Sequence, residues 1–127
     1  MQAPESGSAP MGPGRHAWVD EFAGAVTVCD AAGVILEMNA RAVRMFEKQG
    51  GRGLVGSNVL DCHPEPARTK LRELMERREA QTYTIEKGGR KKLVHQAPWH
   101  RDGEYRGFVE IVLPLPETLP HFVRDKR

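Results

Sequence analysis

The sequence predicts an α+β domain built on antiparallel strands, and three observations predict it. Two strand-like runs, "GAVTVCD" and "GVILEMN", meet at the turn signal Asp30-Ala31-Ala32-Gly33. Towards the other end, Gly88-Gly89 and Asp102-Gly103 are two-residue hairpin signals separating "AQTYTIEK", "RKKLVHQAPWHR" and "EYRGFVEIVLPL". Between these blocks, Ala67, Leu71, Leu74 and Met75 recur at the spacing of one helical face, the stripe a helix needs to lie on a sheet.

Each element follows from local chemistry. Residues 1–14, "MQAPESGSAPMGPG", are rich in Pro, Gly and Ser and have little to bury, so a disordered lead-in is expected before a domain over 15–115. In "RHAWVDEF", Trp18, Val19 and Phe22 share one side of a short helix. Asn39 is placed to cap a helix across "ARAVRMFEKQ", with Ala42, Val43 and Phe46 on one face and Gly50, Gly51 and Gly53 ending it. "LVGSNVLD" reads as a loop or short helical turns. Pro64 suits the first turn of the next helix, and Pro66 is still early enough to be tolerated. Prolines 114, 116 and 120 stop the last strand and open a tail over 116–127.

Composition narrows the classes. At 127 residues the chain is one domain, with no apolar run near the roughly 20 residues of a membrane span. The two cysteines, Cys29 and Cys62, form neither CxxC nor CxxCH, so free thiols in a cytoplasmic protein are expected and an attached c-type haem is not. A net charge of +2 is small, and the basic run "RTKLRELMERR" is interleaved with Glu73 and Glu76, as on a solvated helix face. Neither nucleic acid nor membrane is an expected partner.

The order strand, strand, helix, short turns, longer helix, three-strand meander, together with "AVTVCDAAGVILEMNARAVRMF", "LVGSNVLDCHPEPARTKL" and "DGEYRGFVEIVLPL", resembles a PAS (Per-Arnt-Sim) domain over about residues 18 to 114. The family's Asp-x-x-Gly hairpin and following Asn match Asp30, Gly33 and Asn39, which the resemblance marks as structural. It implies a five-stranded antiparallel sheet in the order 2-1-5-4-3, with helices on one face enclosing a small cavity. It also implies a sensor holding haem, flavin or a small metabolite, or a docking and dimerisation module.

The candidate site residues are Cys62, His63, Thr82, His95 and Glu110. Cys62-His63 stands just before the long helix and reads most simply as the turn that launches it. The flavin photoreceptors of the family carry "NCRFLQ", which "LDCHPEPARTK" does not match, and haem-binding members place a His in the body of the long helix, where "ARTKLRELMERR" has none. Haem would therefore need Cys62 or His63 to swing inward. Zinc would need about four ligands where two are visible, and no metal is expected.

If both hairpins pair without interruption, Gly88-Gly89 sets Thr82 beside His95, and Asp102-Gly103 sets His95 opposite Glu110, Ala97 opposite Phe108 and Leu93 opposite Val112. One sheet face then carries Thr82, Thr84, His95 and Glu110, and the other Tyr83, Ile85, Val94, Val109 and Ile111. The apolar set is the better match to the helical stripe, which favours the polar set outward as a cross-strand ion pair; turned into the cavity, its His beside a carboxylate would anchor a polar ligand. Trp99 is expected to pack on the Trp18 helix, and His16, His100 and His121 to lie at the surface.

The expected function is a non-enzymatic sensory or interaction module of bacterial style, in signal transduction or transcriptional regulation. It would bind a small molecule, a protein partner or both, with a second copy docking through the outer face and the Trp18 helix. With only "PLPETLPHFVRDKR" after Leu113, its output is expected to be borrowed. The competing readings are a haem sensor and a small enzyme with His95 and Glu110 as an acid-base pair.

Overall fold

A computed structural model describes residues 17–125; the lead-in expected over 1–14 and His16 lie outside the described residues. The chain forms α1 (Ala17–Asp20), β1 (Ala25–Asp30), β2 (Ile35–Met38), α2 (Ala40–Met45), α3 (Ala67–Arg77), β3 (Gln81–Lys87), β4 (Arg90–Arg101) and β5 (Glu104–Pro114). Three short 3₁₀ turns, Glu47–Gln49, Gly51–Leu54 and Val59–Cys62, join α2 to α3. The five strands make one antiparallel sheet in the order β2-β1-β5-β4-β3.

The β1–β2 turn is built by Asp30, whose Oδ1 accepts from the N–H groups of Ala32 and Val34, each at 2.9 Å. Gly33 sits at φ 92°, a conformation costly for residues with a Cβ. A bulge at Leu36, where Cys29 pairs Ile35 but Val28 pairs Glu37, lets Ile35 and Met38 both point inward although they are three apart. Asn39 caps α2 and does more. Its Oδ1 accepts from Ala42 and Val26, and its Nδ2 donates to the carbonyls of Val19 and Gly24, all at 2.8–3.0 Å. One side chain thus ties α1, β1 and α2 together. The helix is shorter than its sequence pattern suggests, giving way to a 3₁₀ turn at Glu47 ahead of the left-handed Gly50 and Gly51.

On α3 the expected stripe faces the sheet, with Leu71 and Leu74 buried and Ala67 and Met75 half-buried. Its N–H groups are met early by the Glu65 carboxylate, which accepts from the Thr69 amide and hydroxyl. At its other end the Arg78 guanidinium stacks 4.4 Å from the Tyr105 ring centroid on β5. With Ala25, Cys29, Val94, Phe108 and Val112, these helix residues form the core.

The β4–β5 register differs from the uninterrupted hairpin. Asp102 (φ 52°) and Gly103 (φ 80°) make the two-residue turn, and Arg101 pairs Glu104 as expected. A bulge then falls between Trp99 and His100, so Trp99 pairs Gly107, and every later residue is displaced by one. Gln96, not His95, lies opposite Glu110; Ala97 pairs Val109 rather than Phe108, and Leu93 pairs Leu113 rather than Val112. The physical cause sits at the bulge. Gly107 is buried at φ 152°, where a Cβ would overlap the Cys29 carbonyl, and the Trp99 indole N–H donates to that same carbonyl at 3.0 Å.

A one-residue slip exchanges the faces of β5. Glu110 joins Gln96 and Val94 beneath the helices, while Val109 and Ile111 join His95 and Thr82 outside, correcting the face assignment made for those three β5 residues. Trp99 is also far from α1: it lies at the Asp30–Gly107 end of the sheet, whereas Phe22 sits over Gly24 and Leu113 at the opposite end.

Candidate functional site

The site begins at the turn Val59–Cys62. Asn58 caps it by accepting from the Leu60 N–H at 3.0 Å and anchors it to the β1–β2 turn by donating to the Ala32 carbonyl. Val59 N–H adds a 2.7 Å bond to the Gly33 carbonyl. Held this way, the chain emerges with His63 pointing inward, and its side chain is only 10% exposed. The Cys62-His63 turn does precede α3, but its imidazole belongs to the interior.

The hydrogen bonds fix one ring proton of His63. His63 Nδ1 lies 2.9 Å from the Val59 carbonyl, which can only accept, so Nδ1 carries a hydrogen. Nε2 lies 3.3 Å from Glu110 Oε2, and the Gln96 amide donates to that same oxygen at 2.8 Å. An ionised Glu110 facing a doubly protonated His63 satisfies this arrangement. Burial alone would push the His63 pKa down, but the hydrogen bond and charge of Glu110, with the Val59 carbonyl, outweigh it and hold the imidazole above its ordinary value; Arg68 opposes them weakly. Gln81 completes the chain of polar groups by donating to Gln96 Oε1 at 2.7 Å.

This cluster borders two interior cavities of about 10 Å³ each, which share Thr27, Val59 and Glu110 as walls. One extends toward Leu71, Met75 and Phe108, the other toward Ile35, Phe46 and Cys62. Each is the size of a single water. In this closed state the two cavities are too small for a haem macrocycle or a flavin ring, and Nε2 of His63 is engaged by Glu110. Both thiols are pushed up. Burial is the main cause for each, with Asp30 and Glu110 adding for Cys29, and Asp61 and Glu110 adding for Cys62, so neither is an activated nucleophile. Among the described residues no cluster of three or more His, Cys, Asp or Glu could hold a metal ion.

The site residues expected from sequence are therefore divided. Cys62, His63 and Glu110 come together inside. Thr82 and His95 pair with each other outside, Thr82 Oγ1 2.8 Å from His95 Nδ1, on exposed surface. The expected His95–Glu110 acid-base pair is not assembled, because the sheet lies between them. Gln96, Gln81 and Thr27 were not among the expected site residues. Gln96 stands two residues from Val94 on β4, so strand alternation already put its amide on the inward face; only its partner Glu110 needed the bulge to be placed.

Among the described residues no helix is long and apolar enough to cross a membrane. No curated protein matches the sequence. Solved structures share the fold. The C-terminal domain of a Streptococcus mutans protein is similar at TM-score 0.63 and 20% identity, covering 84% of this chain and 90% of that one. A sensory box sensor histidine kinase from Vibrio cholerae gives 0.59 and 16%, covering 79% and 87%. The PAS domain of Bordetella pertussis BvgS gives 0.59 and 15%, covering 80% and 84%. The family model described as the PAS fold matches residues 19–118, and with the 2-1-5-4-3 sheet beneath its helices the chain belongs to the PAS fold family.

Proposed function

We propose that this domain is a sensory module that receives a small polar molecule in its interior, against the His63–Glu110–Gln96 cluster. The observation that carries the reading is a buried His–carboxylate pair whose Glu110 forms a wall of both cavities, a costly placement of charge that gives a polar ligand something to recognise. Likeness to a domain of a sensor histidine kinase supports the class of function. Glu110 offers an acceptor, so the ligand carries an N–H or O–H donor, and its apolar part rests on Phe108, Leu71 and the adaptable thioether of Met75. Filling the site requires the two cavities to merge, which calls for the Val59 turn between them to give way. Because β5 holds Glu110 inward between Val109 and Ile111 outward, a pull on Glu110 is transmitted to the outer face. The test is a ¹H–¹⁵N NMR screen of small alcohols, amines and amides. At least one class should shift Thr27, Val59 and Gln96 saturably in the wild type and not in Glu110→Gln; no saturable interior shift with any of them would defeat the reading.

A second observation supports association of two copies. Val26, Val28, Leu93, Val109, Ile111 and Leu113 form a half-buried apolar outer face, and beside it Trp18 is 70% exposed with its ring edge-on to Phe22 at 6.1 Å. We expect sedimentation to give a dimer that Trp18→Ala with Ile111→Lys converts to a monomer. A wild type that stays monomeric at high concentration rejects this.

A further inference from the structure

The geometry points to a second binding site, on the surface, for a small amphipathic anion: an organic carboxylate or phosphate ester with an apolar body. It lies where the helical layer stops short of the sheet. A cleft of about 230 Å³ opens between α2 and the ends of β1, β4 and β5, far roomier than either interior cavity of about 10 Å³. Its floor is apolar and comes from strand pairing: Ala25 pairs Val112, and Lys92 pairs Pro114, all on the helix side of the sheet. Met45 closes one wall.

The rim is cationic. Arg41 and Arg44 stand at i,i+3 on α2 and so project on the same side, and Lys92 faces them from β4. No carboxylate lines the cleft, and among the described residues none forms an ion pair with any of the three. In a chain of net charge only +2, three positive groups meeting over an apolar floor are a local concentration rather than a general excess. Like charges spaced i,i+3 repel, and an anion between them removes that cost while the guanidinium forks grip its oxygens. The apolar floor asks for a hydrocarbon body as well as a charge. Neither component of the interior site takes part, so this inference stands apart from the proposed sensing of a polar ligand.

The experiment uses the intact chain and ¹H–¹⁵N NMR titration with octanoate and with octyl phosphate, against acetate, octan-1-ol and octylammonium. Saturable shifts at Arg41, Arg44, Lys92 and Val112 are expected with one or both amphipathic anions, and whichever binds tighter assigns the head group. Acetate and octan-1-ol should each bind at least about tenfold more weakly, and the double variant Arg41→Gln/Arg44→Gln should weaken the anion by about tenfold or more. Unchanged interior shifts at Thr27 and Val59 in that variant confirm that it is folded. Equal binding of octan-1-ol or octylammonium, undiminished affinity in the double variant, shifts centred on Thr27 and Val59, or no saturation by either anion each overturns the proposal.

Discussion

Replacing Asn39 by alanine should cost about 3–5 kcal/mol, a large part of the roughly 5–15 kcal/mol that holds a domain folded. Asn39 is 5% exposed and uses its full hydrogen-bonding capacity, two acceptor and two donor positions. Alanine removes the α2 cap, worth about 1 kcal/mol, and also leaves the Val26 amide and the Gly24 carbonyl without partners in a buried setting. Capping alone would make aspartate or serine nearly neutral. Here Asn39→Asp keeps both accepted bonds but sets a carboxylate against the carbonyls of Val19 and Gly24, so it should lose almost as much as alanine. Urea unfolding midpoints of Asn39→Ala and Asn39→Asp check this, and a near-wild-type Asn39→Asp would reduce the residue to a simple cap.

Glu110→Ala is expected to cost about 3 kcal/mol near pH 6, because it leaves the His63 imidazolium and the Gln96 amide facing an empty space. Glu110→Gln keeps the shape and removes the charge, so it should cost less, and its main signature is in pH. The folded-state pKa of His63 is raised above the ordinary 6.5. A raised pKa means the folded state holds the proton more tightly than the unfolded chain does. The stabilisation is therefore complete below about 6.5 and is lost as pH rises through the raised value. Wild-type unfolding midpoints should fall across that window, relative to Glu110→Gln. Parallel curves for the two proteins would mean that no proton is shared between His63 and Glu110.

What the sequence disclosed and what it hid divide along the reach of the interactions. Asp30-Ala31-Ala32-Gly33, the Asn39 cap, both two-residue turns and the Leu71–Leu74 stripe are local, and a short window contains all their causes. The Thr82–His95 pairing follows because nothing interrupts β3 and β4. The bulge at Trp99 has a cause 70 residues away, the Cys29 carbonyl, which takes the indole hydrogen and crowds Gly107. A lone glycine inside a strand signals such an irregularity, but not that the extra residue falls at Arg106, between the partners of Trp99 and His100. His63 was hidden for the same reason. Its direction is set by Asn58 and Val59 reaching the β1–β2 turn, so a residue that looked like the start of a helix is delivered to Glu110 from the far side of the sequence.

The central claim is that His63 and Glu110 form a charged pair inside the domain, separated by the sheet from His95. Ring-nitrogen NMR of the histidines, titrated in the wild type and in Glu110→Gln, measures it directly. His63 should keep its Nδ1 hydrogen throughout, titrate above 6.5, and drop in Glu110→Gln. If His63 titrates at or below 6.5 in the wild type, or does not drop in Glu110→Gln, the account is contradicted.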